Sequence, residues 1–203
     1  MKNKLIILSM LVLMLASCSK KLEKIMSGIT GNGNTEATIN SYVKYTISEG
    51  RQYCDKRSLV SVNDSLLSFD VKFDSSAIYT TINKGNQGDI NKLFGFSDNN
   101  ADHHEYSARF GWRWSGQALQ LFAYIYNKGV MSFKEIGTVQ IGSENRCSIK
   151  VAGDKYLFSL NDKEIIMPRE STTKMAQGYM LWPYFGGDEL APHTISIWIK
   201  ELR

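Results

Sequence analysis

Hydrophobic and polar residues alternate at every second position through much of the chain, most clearly between residues 103 and 127. Two such runs flank Ser115-Gly116, a dipeptide of the kind that closes tight hairpins. If this dipeptide is the loop, Trp112 lies opposite Leu119 on an apolar face. The opposite face is polar and aromatic. The pattern therefore predicts a hairpin with one face in the core and the other available to a ligand.

The same alternation predicts roughly a dozen short strands and no long helix. Besides the hairpin, the predicted strands are 42–48, 53–54, 59–62, 66–73, 90–97, 130–141 with a break near Gly137, 147–151, 155–160, 164–167, 178–185 and 194–202. Residues 77–82 are predicted as a further strand or an irregular edge. An immunoglobulin-like sandwich needs only roughly 100 residues. The greater length of this chain favours an all-β jelly-roll sandwich of two antiparallel sheets.

The first 17 residues have the features of a secretion signal: a basic start, an apolar run and small residues before Cys18. They resemble the leader of bacterial lipoproteins. The resemblance implies cleavage before Cys18, lipid on Cys18 and anchoring in a membrane. A serine directly after the cysteine, here Ser19, resembles lipoproteins that diderm bacteria sort to the outer membrane. The resemblance implies that the chain faces the periplasm or the cell surface. An ordinary secretion signal with a coincidental cysteine is the alternative.

The rest of the chain is expected to form a tether and one domain. Residues 18–40 are rich in glycine, asparagine and threonine, which is typical of a flexible tether. Residues 41–203 are enough for one β-sandwich domain with a single core. Loss of Lys2 and Lys4 with the leader lowers the formal charge of +4 by two. We find no basic run interleaved with aromatic residues, so nucleic-acid binding is not predicted, nor is a cofactor.

Two cysteines, Cys54 and Cys147, remain after Cys18 is set aside. Both lie at the edges of predicted strands and would be exported to an oxidising compartment. A disulfide between them is possible, but small buried free cysteines are also common.

The C-terminal segment 178–200 resembles the closing strands of concanavalin A-like lectin and glucanase jelly rolls. In those domains an aromatic-Gly-Gly bulge, here Phe185-Gly186-Gly187, precedes the final core strand. The resemblance implies that fold, with the hairpin on the curved sheet that carries a sugar cleft. This chain lacks the Glu-x-Asp-x-x-Glu motif of the family's retaining glucanases. Since adjacent Asp188 and Glu189 would point to opposite faces, we do not expect a glycosidase.

The polar face of the hairpin carries the candidate binding residues. Two arginines four positions apart share this face, and aromatic residues lie on the neighbouring strand. Arginine forks bind carboxylates, and aromatic rings stack on sugars. We therefore predict glycan binding at Arg109, Arg113, Gln120, Tyr124 and Tyr126.

Two other functions stay open. In a polysaccharide lyase similar to alginate lyases, Arg109 and Gln120 would neutralise a uronate carboxylate, and Tyr124 or His103 would move the proton. In a non-catalytic envelope interaction module, the same face would be an ordinary solvated surface.

The loop before the hairpin invites a metal hypothesis, because it contains Asp98, Asp102, His103 and His104. Adjacent histidines in an extended strand cannot easily share one ion. A turn explains the polar composition, so no metal site is predicted.

Overall fold

A computed structural model describes residues 41–202 of the chain. The predicted leader, the lipidation site at Cys18 and the tether 18–40 lie outside the described residues and remain predictions. Within 41–202, no helix is long and apolar enough to cross a membrane.

The described chain folds into twelve strands. They are β1 (Val43–Ile47), β2 (Ser61–Asp64), β3 (Leu66–Phe73), β4 (Asn91–Ser97), β5 (Tyr106–Ser115), β6 (Ala118–Asn127), β7 (Val130–Val139), β8 (Asn145–Ala152), β9 (Lys155–Leu160), β10 (Lys163–Pro168), β11 (Ala176–Leu181) and β12 (Ile195–Leu202). Two short 3₁₀ helices occupy Ser75–Ala77 and Lys84–Gly88. Segment 77–82, for which a strand or irregular edge was predicted, forms no strand.

The strands form two six-stranded antiparallel sheets. The first sheet has the order β1-β12-β3-β8-β9-β10, and the second has the order β2-β11-β4-β5-β6-β7. Neighbours in each sheet are often distant in sequence, as β11 and β4 are, which requires connections that cross between sheets. This arrangement confirms the predicted jelly-roll sandwich.

The core lies between the two sheets and is built largely from aromatic rings. Phe69 of the first sheet packs edge-to-face against Phe94 and Phe110 of the second, with ring centroids 5.1 and 5.5 Å apart. Trp112 is fully buried and packs against Phe73. The apolar face of the hairpin is thus in the core, as its alternation predicts.

The predicted loop of this hairpin is wrong by one residue. Gly116 and Gln117 form the loop, because both have positive φ (59° and 62°), and Ser115 pairs with Ala118. Two positive-φ residues match the twist of the strands, but glutamine rarely adopts this conformation. The partners move by two positions, so Trp112 faces Leu121. An even shift leaves every side chain on its predicted face.

The possible disulfide is not formed. Within the described chain Cys54 and Cys147 are both free and buried. Cys54 pairs with the free edge of β1, so four strand spacings separate it from Cys147 on β8. At about 4.8 Å per spacing this separation is roughly 19 Å, well beyond the reach of a disulfide.

Candidate ligand-binding groove on the second sheet

The outer face of the second sheet, opposite the core, carries the polar side of the hairpin. Paired residues cross this face in rows, and the central row runs from β7 to β11 through Phe133, Tyr124, Arg109, Gly95 and Leu181. A Cβ at Gly95 would collide with Arg109 and with the carbonyl oxygen of Ala108. Glycine at this position therefore lets the arginine lie low across the sheet.

A cavity of about 650 Å³ opens on this face and crosses β6, β5, β4 and β11; we call it the groove. Tyrosines dominate its walls, accompanied by cations, two histidines and one carboxylate. These residues are Tyr53, Tyr124, Tyr126, Tyr179, Tyr184, Arg57, Lys92, Arg109, His103, His104 and Asp188. The lining is therefore rich in aromatic rings and carries net positive charge.

Arg109 is the most deeply placed charge in the groove, with only 7% of its surface exposed. Its Nε has no hydrogen-bond partner within the described residues. The arginines with ion pairs in that part of the chain are Arg146 and Arg169. Burial lowers the pKa of Arg109 to about 10. The guanidinium lies 5.6 Å from the centre of the Tyr124 ring, which provides only a weak partner.

Lys92 brings a second cation to the groove from β4. Burial, and then the charge of Arg109, lower its pKa to about 8. Its Nζ donates to the carbonyl oxygen of Gly186 at 3.0 Å and lies 5.3 Å from the Tyr124 ring. Two partly desolvated cations thus face the same tyrosine, and an anion placed between them would lower the energy of both.

A histidine and a tyrosine pair at one end of the groove. His103 Nδ1 lies 3.0 Å from the Tyr179 hydroxyl, which donates to Asp102 Oδ2 at 3.5 Å. Burial, and then the charges of His104 and Arg109, lower the pKa of His103. A neutral imidazole hydrogen-bonded to a phenol can accept or relay a proton near neutral pH.

The metal hypothesis was set aside on the ground that adjacent histidines in an extended strand cannot easily share one ion, but His103 and His104 are not in a strand. Both residues lie in the turn before β5, and their ring centroids are 4.1 Å apart. Ligand atoms of Asp102, His103 and His104 lie within 4.8 Å of one another.

The structure brings together four of the six predicted site residues. Arg109, Tyr124, Tyr126 and His103 line the groove. Arg113 and Gln120 are not part of the groove lining.

Arg113 and Gln120 instead pair with each other, at 2.6 Å between Arg113 Nε and Gln120 Oε1. The Arg113 guanidinium also donates to the carbonyl oxygen of Gly88 and covers the Phe122 ring. The role given to Gln120 in neutralising a uronate therefore has no geometric support.

Sequence reasoning missed the groove residues outside the hairpin, chiefly Lys92, Tyr179 and Tyr184. Tyr184 and Lys92 exchange backbone hydrogen bonds at 2.8 and 2.9 Å, which places the 182–188 segment along the groove. A lysine inside the apolar run of β4 was a usable signal. The pairing of β4 with the distant β11 segment was not visible from local patterns.

Asp98 begins the predicted turn, since its carbonyl oxygen accepts from the Ala101 amide at 3.1 Å, and it is also a buried anchor at the end of β4. Its carboxylate is fully buried and pairs with Arg169, with 2.8 Å between Arg169 Nε and Asp98 Oδ2. It also accepts hydrogen bonds from the Tyr156 hydroxyl and the Gln177 amide. This network fixes the end of β4 against β11 and so supports the groove.

No family model matches the chain, and no curated protein matches it. Solved structures do. The alginate lyase AlyC3 superposes with a TM-score of 0.54 at 8% identity, covering 79% of this chain and 74% of that one. An alginate lyase from Klebsiella pneumoniae gives 0.52 at 13% identity, over 68% and 58%. SCLam, a non-specific endo-β-1,3(4)-glucanase of family GH16, gives 0.54 at 7% identity, over 80% and 70%. At these identities the superpositions show a shared fold and nothing further.

Proposed function

We propose that the groove binds an acidic polysaccharide. The observation that carries this proposal is Arg109, a buried cation without a carboxylate partner among the described residues. A buried charge is costly unless it is paired, and sites that bind anions leave such a charge for the ligand to complete. Lys92 adds a second cation beside it.

The remaining walls fit a sugar chain better than a compact anion. Tyrosines line the groove, and aromatic rings can stack on the apolar faces of pyranoses while their hydroxyls form hydrogen bonds. The groove crosses several strands, as an extended ligand requires. The structural neighbours include proteins described as alginate lyases and a glucanase, all acting on polysaccharides.

Titration calorimetry with oligouronates tests the proposal. Arg109→Met should abolish measurable binding, and the methyl-esterified oligomer should not bind the unaltered chain. Arg113→Met is the matched control, because Arg113 is on the same strand and face but outside the groove. Equal affinity for the charged and esterified oligomers, or an equal loss in both variants, would exclude the proposal.

A second candidate function is cleavage of the bound uronate by β-elimination. The favouring observation is the hydrogen bond between His103 and Tyr179 beside the cations. Arg109 would neutralise the uronate carboxylate and so acidify C5–H. The His103–Tyr179 pair would take the C5 proton, a C4=C5 double bond would form as the C4–O bond breaks, and the leaving oxygen would take up a proton. Hydrolysis is less well supported, because retaining glucanases need two carboxylates. Among the described residues that line the groove, Asp188 is the one with a carboxylate.

The unsaturated product absorbs ultraviolet light, which gives a direct assay for elimination. A rise in absorbance that Tyr179→Phe and His103→Gln each remove, without loss of binding, would establish the lyase. A chain that binds oligouronates without any rise in absorbance would be a binding protein.

We also propose that the chain is a lipoprotein of the outer membrane, anchored through Cys18. Support comes from the leader alone. Metabolic labelling with tritiated palmitate should mark the unaltered chain and not Cys18→Ala, and labelling of both would exclude this site.

A further inference from the structure

The outer face of the sheet continues past the groove onto the edge strand β7. Met131 pairs with Tyr126 and Phe133 pairs with Tyr124, so both side chains share the face of the groove tyrosines. They are 43% and 46% exposed and so extend the groove face with apolar surface. The Phe133 ring packs edge-on against Phe122, at 6.0 Å between centroids, which holds it in place.

This extension differs from the groove in charge. Glu135, opposite Phe122, is the charged residue that β7 presents on this face. Lys134 pairs with Ala123 of the apolar face and so belongs to the opposite side. Arg113, the cation in contact with Phe122, is already engaged by Gln120 and Gly88. A uronate lying over β7 would therefore meet a carboxylate and an aromatic ring, with no cation of β7 to neutralise it.

The distance between the two regions suits two sugars of one chain that are separated by one residue. β7 is two strands from β5, so Phe133 lies roughly 10 Å from Arg109 across the sheet. An oligosaccharide that crosses the strands and has one residue at Arg109 would place a later residue on Phe133.

We infer that the preferred ligand is a mixed polysaccharide, in which an uncharged sugar stacks on Phe133 while a uronate occupies the site at Arg109. The inference rests on the proposed binding of acidic polysaccharide. It adds that a polymer made only of uronates fits less well, because it would place a charged residue beside Glu135. Contact of Phe133 with a second copy of the chain is the competing use of this surface.

Calorimetry with two classes of probe tests the inference. Gellan oligosaccharides carry one glucuronate in each repeat of four sugars, so the sugar two residues away from a glucuronate is uncharged, whereas hexamannuronate is charged at every residue. The unaltered chain should bind a gellan octasaccharide more tightly than hexamannuronate. Phe133→Ala should weaken that binding about five- to tenfold and change hexamannuronate binding less than twofold, and Phe133→Trp should restore it. Val130→Ala is the matched control, on the same exposed strand but the opposite face.

The outcomes separate the inference from the proposal on which it rests. Hexamannuronate binding as tightly as the gellan octasaccharide, or an equal effect of Phe133→Ala on both classes, overturns the inference and leaves acidic-polysaccharide binding intact. If no acidic probe binds, both fail. Light scattering adds an independent outcome: a dimer that Phe133→Ala dissociates would assign this surface to self-association and overturn the inference.

Discussion

Replacing Arg109 should make the protein more stable while removing its ligand binding. The chain provides a matched comparison, because Arg109 and Arg169 are 7% and 4% exposed respectively. Arg169 donates to Asp98 through both Nε and Nη2, at 2.8 and 3.3 Å. Arg109 has no such partner among the described residues. Both arginines are therefore buried, but of the two only Arg169 is paired with a carboxylate.

The size of the effect follows from the pKa of Arg109, which burial lowers from 12.5 to about 10. At 1.36 kcal/mol per pKa unit, the charged guanidinium is about 3 kcal/mol less stable in the folded protein than in water. Methionine removes this charge and keeps most of the hydrocarbon volume. It also loses the contact with the Tyr124 ring, worth about 1 kcal/mol. The net expectation for Arg109→Met is a gain of about 2 kcal/mol in the free energy of unfolding.

Urea unfolding measured for both variants provides the assay. Arg169→Met breaks a buried ion pair and should cost about 3–5 kcal/mol. The reasoning is refuted if Arg109→Met loses more than about 1 kcal/mol, since that would mean that the fold, and not a ligand, satisfies this guanidinium. An unchanged m-value in both variants is required for the comparison.

Three further predictions follow from the structure. Because the pKa of Lys92 is lowered to about 8, affinity for an oligouronate should fall as pH rises through 8, and Lys92→Arg should keep its affinity across that range; a flat profile in the unaltered chain contradicts this. Trp112→Ala should lose about 3–5 kcal/mol in urea unfolding, because this fully buried ring lies between the sheets, and a loss below about 1 kcal/mol would place it outside the core. Thiol titration of the unfolded, unreduced chain should find both Cys54 and Cys147 reactive. In the native chain both thiols should react slowly, because burial raises the pKa of Cys54 to about 11 and that of Cys147 further. Absence of both thiols after unfolding would indicate a bridge.

Period-two alternation was sufficient to predict the fold, because the face that a side chain occupies depends only on whether its position is odd or even. The hairpin shows this directly. The predicted loop was misplaced, yet Trp112 and Phe110 are in the core and Arg109 is on the outer face. The partners themselves depend on the turn, and Gln117 gave no sign of its positive φ.

The groove was only half predictable, because its walls come from segments distant in sequence. The hairpin contributes Arg109 and Tyr124, which share a local pattern. Tyr184 reaches the groove because the segment after β11 pairs with β4 at Lys92, a crossing connection that local alternation does not reveal.

Arg109 and Arg113 show what decides function once the face is known. They are the same residue type, four positions apart, on one face of one strand, and the sequence gives no reason to separate them. The difference in their surroundings comes from the segment that precedes β4. Glu189 accepts hydrogen bonds from the backbone of Ile82 and Asn83 and so holds the 84–88 helix beside β5. That helix supplies the Gly88 carbonyl, which, together with Gln120, satisfies Arg113. Arg109 Nε has no such acceptor among the described residues, and this unmet hydrogen-bonding capacity leaves the guanidinium available to a ligand.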